Sequence, residues 1–219
     1  TARHLVVVNP NNPDGHLFGR ERLAQLAGEV ERRGGWLILD ESFIDVVPEA
    51  SAAALCRDLP VLILRSFGKF YGLAGLRLGF LVARPDIAAR VGEALGPWCV
   101  AGPALEIGAA ALGDSGFAQA MRGQLVREAA ALDSLLGEAG LTVCGGTTLY
   151  RLVRHPGARR LHDALARRHI WVRRFDWDES LLRFGLPPHD LARQRLAEAL
   201  TDGLAETHVG DHGTRTDWP

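Results

Sequence analysis

Lysine is almost absent from this chain: of its 25 lysines and arginines, only Lys69 is a lysine. An excess of charge of either sign is missing too. The formal net charge of -1 excludes overall electrostatic attraction as a basis for binding nucleic acid or an anionic membrane. Cys56, Cys99 and Cys144 are too few and too scattered for a disulfide framework, and no CxxC spacing offers a zinc site. They read as small buried hydrophobes in a reducing cytoplasm. The eight histidines contain no HExxH or paired-ligand spacing, so no metal is expected and they read as surface or structural groups. No apolar run approaches the roughly 20 residues of a membrane span, and no basic region precedes an apolar stretch at the start. The expectation is a cytoplasmic protein with neither a nucleic-acid nor a membrane partner.

What the chain does contain is enough apolar material for a core, 47% of 219 residues. Leu5–Val8 is a continuous apolar run, predicted to be a strand buried on both faces of a parallel sheet. Such a strand seldom opens a domain, so the chain reads as the later part of a longer protein or as a truncated one. The turn formers of NPNNPDG follow, then a helix over Arg20 to Arg33 whose apolar face is Leu23, Leu26, Ala27 and Val30. Further strands are predicted at Trp36 to Leu39, Val61 to Leu64 and Leu78 to Val82. Alternation of strand and helix with short connections implies an α/β fold with a largely parallel sheet. Ligands of such sheets sit beyond the carboxyl ends of the strands, where Asn12, Asp40 and Ser66 to Lys69 fall.

The pattern turns helical at Ala104 to Leu112 and Ser115 to Glu138. Strands at Leu149 to Val153, Ile170 to Arg173 and Leu181 to Phe184, with helices at Arg159 to Arg168 and Pro188 to Ala205, predict a small α+β domain. The organisation expected is a large-domain part over 1–101, connecting helices over 102–140, a small domain over 141–207 and a disordered polar tail over 208–219. Arg159, Arg160, Arg167 and Arg168 read as a solvated helix face. Trp36, Tyr150 and Trp171 read as core or lobe-interface residues.

Arginine and lysine serve equally as exposed charges, but only lysine readily gives up its proton and attacks a carbonyl carbon. A retained surface lysine would explain Lys69 taken alone; its neighbours point to chemistry. Ser66 lies three residues before it and Arg77 eight after, in a glycine-rich run suited to a phosphate ester. An amine for an aldehyde beside donors for a phosphate suggests pyridoxal 5'-phosphate. That cofactor needs an anion at its pyridine nitrogen, and Asp40 ends a buried strand where such an anion could stand, though a cap or structural ion pair is the alternative. Asn12 could donate to the cofactor's phenolic oxygen, and the Asn12–Pro13 bond can take the cis form of a sharp turn; a plain loop is the alternative.

NPNNPDG, then DESF after a strand, then RSFGKFYGLAGLRLGF together resemble the class I/II aminotransferase superfamily, fold type I of the pyridoxal-phosphate enzymes. The branch most similar is the histidinol-phosphate aminotransferase-like one. The run from Ala94 to Ala104, ALGPWCVAGPA, with RSFGKFYGLAGLRLGF, more narrowly resembles threonine-phosphate decarboxylases of cobalamin biosynthesis. The likeness extends from about Leu5 to Ala205. It implies an incomplete large-domain sheet of the transferase-like fold with a C-terminal small α+β domain. It further implies Lys69 as the cofactor-bound lysine, Asp40 as partner of the pyridine nitrogen, Asn12 as donor to the ring oxygen, and Ser66 and Arg77 as phosphate ligands. In the small domain it implies Arg183 for the substrate's α-carboxylate and Arg173 for a substrate phosphate.

The expected substrate is a phosphorylated amino acid, decarboxylated, or alternatively transaminated by a histidinol-phosphate aminotransferase-like enzyme. A noncatalytic remnant that retains the fold is a further reading. The expected assembly is a homodimer. Phe43 stands where many aminotransferases have a tyrosine, so one donor to the ring oxygen is missing and the cofactor-bound lysine should titrate somewhat higher. The resemblance also implies that an N-terminal portion supplying a phosphate loop, a ring-stacking aromatic and part of the substrate pocket lies outside this chain.

Overall fold

The structure, a computed structural model, describes residues 2–209. Two compact units meet in sequence between Arg122 and Gly123, each with its own sheet and core.

In the first unit the strands β1 (Leu5–Val8), β2 (Leu37–Asp40), β3 (Val61–Ser66) and β4 (Gly79–Val82) lie in that order. The first three run parallel and β4 returns antiparallel to β3. Helix α1 (Arg20–Glu31) joins β1 to β2 and buries Leu23, Ala27 and Val30, an i, i+4, i+7 stripe, as the sequence predicts. The chain behind it is held close, since a Cβ on Gly35 would lie 1.7 Å from the carbonyl oxygen of Arg3. Leu37, Leu39, Val61 and Ile63 share the core with that stripe and with Ala52 and Cys56.

The β2 to β3 connection holds three short 3-10 helices, Ile44–Val46, Pro48–Ala50 and Ala53–Arg57, with Pro48 opening the second. Burial on both faces of β1 is not what is found: Val6 is 64% exposed. Among the described residues β1 pairs only with β2, and the α1 core covers the face that carries Leu37 and Leu39. Leu64, which shares the other face two registers along, is also exposed. Helices α2 (Pro85–Leu95) and α3 (Gly102–Gly113) follow, and α4 (Ser115–Glu138) crosses the boundary between the units in sequence.

The second unit is an antiparallel sheet of β5 (Thr142–Thr147), β6 (Tyr150–Arg154), β8 (Leu181–Gly185) and β7 (Arg173–Arg174), in that order. Leu132 and Leu136 of α4, Leu161 and Leu165 of α5 (Ala158–Arg167), and Leu196 and Leu200 of α6 (Asp190–Val209) form one cluster with Val153, Leu182 and Phe184. The strand predicted at Ile170 to Arg173 is reduced to two residues, Arg173 and Arg174, and β5 is an addition. Its glycines conceal it in sequence, yet the hairpin requires one: Gly146 has φ 132°, and a Cβ there would meet the Tyr150 carbonyl oxygen at 2.3 Å.

Three further readings change. Cys56 is buried as expected, but Cys99 and Cys144 are exposed. Trp171 is 79% exposed rather than a core residue, whereas Tyr150 is buried. Helix α6 continues to Val209, so the tail expected from His208 starts inside a helix, and 210–219 lie outside the described residues. Among the described residues no helix is long and apolar enough to cross a membrane.

Candidate active site

Asp40 is the last residue of β2 and Ser66 the last of β3. Asp40 is paired in register with Leu64, and because strand side chains alternate, Asp40, Leu64 and Ser66 share one face. The Asp40 Oδ1 accepts hydrogen bonds from the Ser42 backbone N–H at 2.9 Å and from the Ser42 hydroxyl. Among the described residues Oδ2 accepts none. A carboxylate fixed through one oxygen and open through the other suits a ring N–H.

After β3 the chain enters a loop anchored by alternating burial. Phe67 and Phe70 are buried while Lys69, between them, is exposed. Phe67 stacks on Tyr71 at 4.4 Å between centroids, and Phe70 meets Tyr71 edge-on at 5.1 Å. The loop is therefore clamped by its aromatics, and the Lys69 amine has no hydrogen-bond or ion-pair partner among the described residues. A 3-10 turn, Ala74–Leu76, leads to Arg77, which adopts a left-handed conformation with φ 54°. Backbone of that kind in a non-glycine residue costs about 1 to 3 kcal/mol and clusters at functional sites. The Arg77 guanidinium donates to the Ala74 carbonyl at 3.0 Å, closing the turn on itself.

Arg65, Ser66, Gly68, Lys69, Ala74, Arg77, Leu78 and Gly79 line one cavity of about 380 Å³, which Asp40 and Asn12 do not line. The donor set is that of an anion site with an amine at its mouth, as a phosphate ester bearing an aldehyde requires. The residues present fit pyridoxal phosphate in donor chemistry and in room.

Asn12 lies in the loop after β1, is exposed, and has a cis bond to Pro13; Asn9–Pro10 is cis as well. This loop is tied to Asp40 through the backbone, the Asn9 N–H donating to the Asp40 carbonyl at 2.8 Å. Asn9, which sequence reasoning passed over, is fully buried. Its side chain accepts from the Phe18 N–H at 2.8 Å and so holds the far end of the same loop.

Arg183 and Arg173 belong to the second unit and are described there. They are register partners on β8 and β7. The Arg183 guanidinium lies 5.1 Å from the centre of the buried Tyr150 ring. Burial pushes the pKa of Arg183 down, and the charge of Arg173 pushes it the same way. Like charges directly opposite on neighbouring strands are destabilising. The helix-face arginines are solvated as expected, with Arg159 on Glu179 at 2.9 Å and Arg168 on Glu206 at 3.0 Å.

Two α/β units, the first with a parallel three-strand run whose carboxyl ends carry Asp40 and Ser66, define the transferase-like fold of the pyridoxal-phosphate enzymes. Solved structures share it. A histidinol-phosphate aminotransferase from Clostridium acetobutylicum aligns with a TM-score of 0.84 at 23% identity, over 93% of this chain and 64% of that one. An L-threonine-O-3-phosphate decarboxylase from Porphyromonas gingivalis aligns at 0.75 and 25% identity, over 92% and 64%. The sequence model of the family "Aminotransferase class I and II" matches residues 2–200, and the chain belongs to that family.

Among curated relatives, the threonine-phosphate decarboxylase of a Sinorhizobium species is 44% identical over 91% of this chain and 60% of its own length. The threonine-phosphate decarboxylase of Pseudomonas aeruginosa is 42% identical over 90% and 59%. A histidinol-phosphate aminotransferase of Pectobacterium atrosepticum is 35% identical over 52% and 32%. The chain thus spans about 60% of the length of the decarboxylases it matches.

Proposed function

We propose that the protein containing this chain is a pyridoxal-phosphate-dependent L-threonine O-3-phosphate decarboxylase, acting in cobalamin biosynthesis in the cytoplasm. The observation that carries the reading is the pair of decarboxylases more than 40% identical over nine-tenths of the chain. The cavity that gathers Ser66, Lys69 and Arg77 supports it.

Bound there, pyridoxal phosphate supplies an aldehyde and an electron-accepting ring. Lys69 Nζ would hold the aldehyde, and as a free amine it could move a proton at the substrate's reacting carbon. Ser66 and Arg77 would hold the cofactor phosphate, Asp40 Oδ2 would keep the pyridine nitrogen protonated, and Asn12 would donate to the ring oxygen. Arg183 binds the α-carboxylate and so decides which bond at the α-carbon is presented for cleavage. Arg173 would bind the substrate phosphate. Loss of carbon dioxide and gain of a proton at the same carbon give an aminopropanol phosphate.

A homodimer is part of the proposal. Helix α3 is apolar on several sides, with Leu105, Ile107 and Leu112 exposed in the single chain. Amino transfer is the second reading, supported by the histidinol-phosphate aminotransferase relatives near 35% identity.

Incubation with threonine phosphate separates the readings. Release of carbon dioxide with aminopropanol phosphate is the expected result, and transfer of the amino group to 2-oxoglutarate without carbon dioxide would establish the second. Absence of cofactor absorbance above about 400 nm, unchanged by Lys69→Ala, would mark a noncatalytic remnant.

A further inference from the structure

Beside the candidate site, within the first unit, lies a series of four alternating charges, one of which, Arg65, also lines the cavity. Glu41 is fully buried, and both its carboxylate oxygens are occupied. Oε1 accepts from the Ala52 N–H at 2.7 Å; Oε2 accepts from the Ser51 hydroxyl at 2.8 Å and from Arg65 Nη1 at 3.3 Å. Arg65 Nη2 donates to Asp45 Oδ1 at 2.6 Å. The Asp45 carbonyl in turn accepts from Arg122 Nε at 2.8 Å, and the Arg122 guanidinium lies 5.3 Å from the centre of the Phe70 ring.

Three of the residues joined in this way are sequence neighbours of the site. Glu41 follows Asp40, Arg65 precedes Ser66, and Phe70 follows Lys69. Alternation along β3 puts the Arg65 side chain on the opposite face of the strand from Ser66 and Asp40, while Arg65 also lines the cavity beside Ser66 and Lys69. A twist of either strand end that moved Asp40 relative to Ser66 would therefore break the Glu41–Arg65 bond. Stability alone explains this poorly, because buried ion pairs contribute little beyond apolar residues of similar size, whereas an arginine fork fixes direction as well as distance.

We propose that Glu41 and Arg65 are positioning residues that set the separation between Asp40 and the Ser66–Lys69 loop, with Asp45 and Arg122 extending the restraint to Phe70. The proposal rests on the reading of that loop as the cofactor site, and its test has an arm that does not need the cofactor.

Hydrogen exchange is followed in the cofactor-free chain for the wild type, Arg65→Met, Arg65→Lys and Glu41→Gln. Loss of a charge-assisted hydrogen bond should speed exchange of the amides from Phe67 to Gly72 by about ten- to a hundredfold and leave α1 unchanged. Arg65→Lys, which keeps the charge and loses the fork, should recover only part of the protection. In the second arm each chain is titrated with pyridoxal phosphate. The variants should bind it more weakly, and the pH at which the bound cofactor's absorbance changes should move.

If exchange around Lys69 and the pH profile stay at wild-type values while only the melting temperature falls, the network is a plain structural staple and the proposal is overturned. If the wild type does not take up pyridoxal phosphate, the cofactor reading fails, while the exchange arm still decides whether the network restrains the loop. Should Arg65→Met not fold, Arg65→Lys and Glu41→Gln carry both readouts.

Discussion

A methyl group added at position 68 would land where the structure has no space for it. The Cβ of Gly68→Ala would lie 2.9 Å from the Ala74 Cα and 3.0 Å from its Cβ, where ordinary separations are 3.4 to 4 Å. Ala74 stands at the start of the turn that ends in Arg77, and Arg77 hydrogen-bonds the Ala74 carbonyl, so relief of the overlap must shift the guanidinium. Overpacking of this size costs about 1 to 3 kcal/mol of stability. With Arg77 in its proposed role, its displacement would forfeit a charge-assisted hydrogen bond to the cofactor phosphate, about 1.5 to 3 kcal/mol, or roughly a ten- to hundredfold weaker Kd. Ala74→Gly on the same background removes the opposing methyl but not the opposing backbone, so recovery should be partial. Absorbance titration with pyridoxal phosphate and thermal unfolding measure the two effects. Gly92→Ala in α2, where a Cβ meets nothing within 4 Å, is the control. A Kd for Gly68→Ala within twofold of wild type would show that the turn from Ala74 to Arg77 does not carry the phosphate site.

Arg183→Lys should raise KM for threonine phosphate by more than about tenfold, because a bidentate clamp becomes a point charge, and should leave the pyridoxal phosphate titration unchanged; steady-state kinetics check both. Leu165→Ala, in the core of the second unit, should cost about 2 to 5 kcal/mol in urea unfolding. Burial, then the negative charge of Glu41, pushes the Cys56 thiol up to about 11. The unfolded thiol ionises first as pH rises, so this contribution to stability is complete below about pH 9 and lost toward pH 11, a drop of at most about 2 to 3 kcal/mol. Unfolding at pH 8 and pH 10.5 should show a shallower decline for Cys56→Ala than for wild type, and a thiol reagent at pH 8 should modify Cys99 and Cys144 before Cys56.

The parts of the fold that were legible are those where periodicity and burial agree. The stripe Leu23, Ala27 and Val30 is read correctly because α1 packs one face on a sheet, and the bounds of α4 are read to the residue. The failures have physical causes. An apolar run such as Leu5–Val8 does not say whether both its faces are covered, and in β1 one is open at Val6. Strand β5 carries two glycines, of which Gly146 is required because its hairpin brings backbone onto backbone, a tertiary requirement that lowers the local strand signal. Helix α2 was legible and missed: after Pro85 and Asp86, Ile87, Val91 and Leu95 recur at helical spacing.

At the site, what the sequence offered was residue chemistry, and what it withheld was direction. Asp40 and Glu41 are adjacent acids, and nothing local separates a carboxylate that faces a ligand from one that is buried against Ser51, Ala52 and Arg65. The distinction comes from register: Asp40 lies opposite Leu64, so Ser66 falls on its face and Arg65 on the other. Arg65, the last residue but one of β3, is consumed by two carboxylates, whereas Lys69, in the loop that follows, is left without a partner among the described residues.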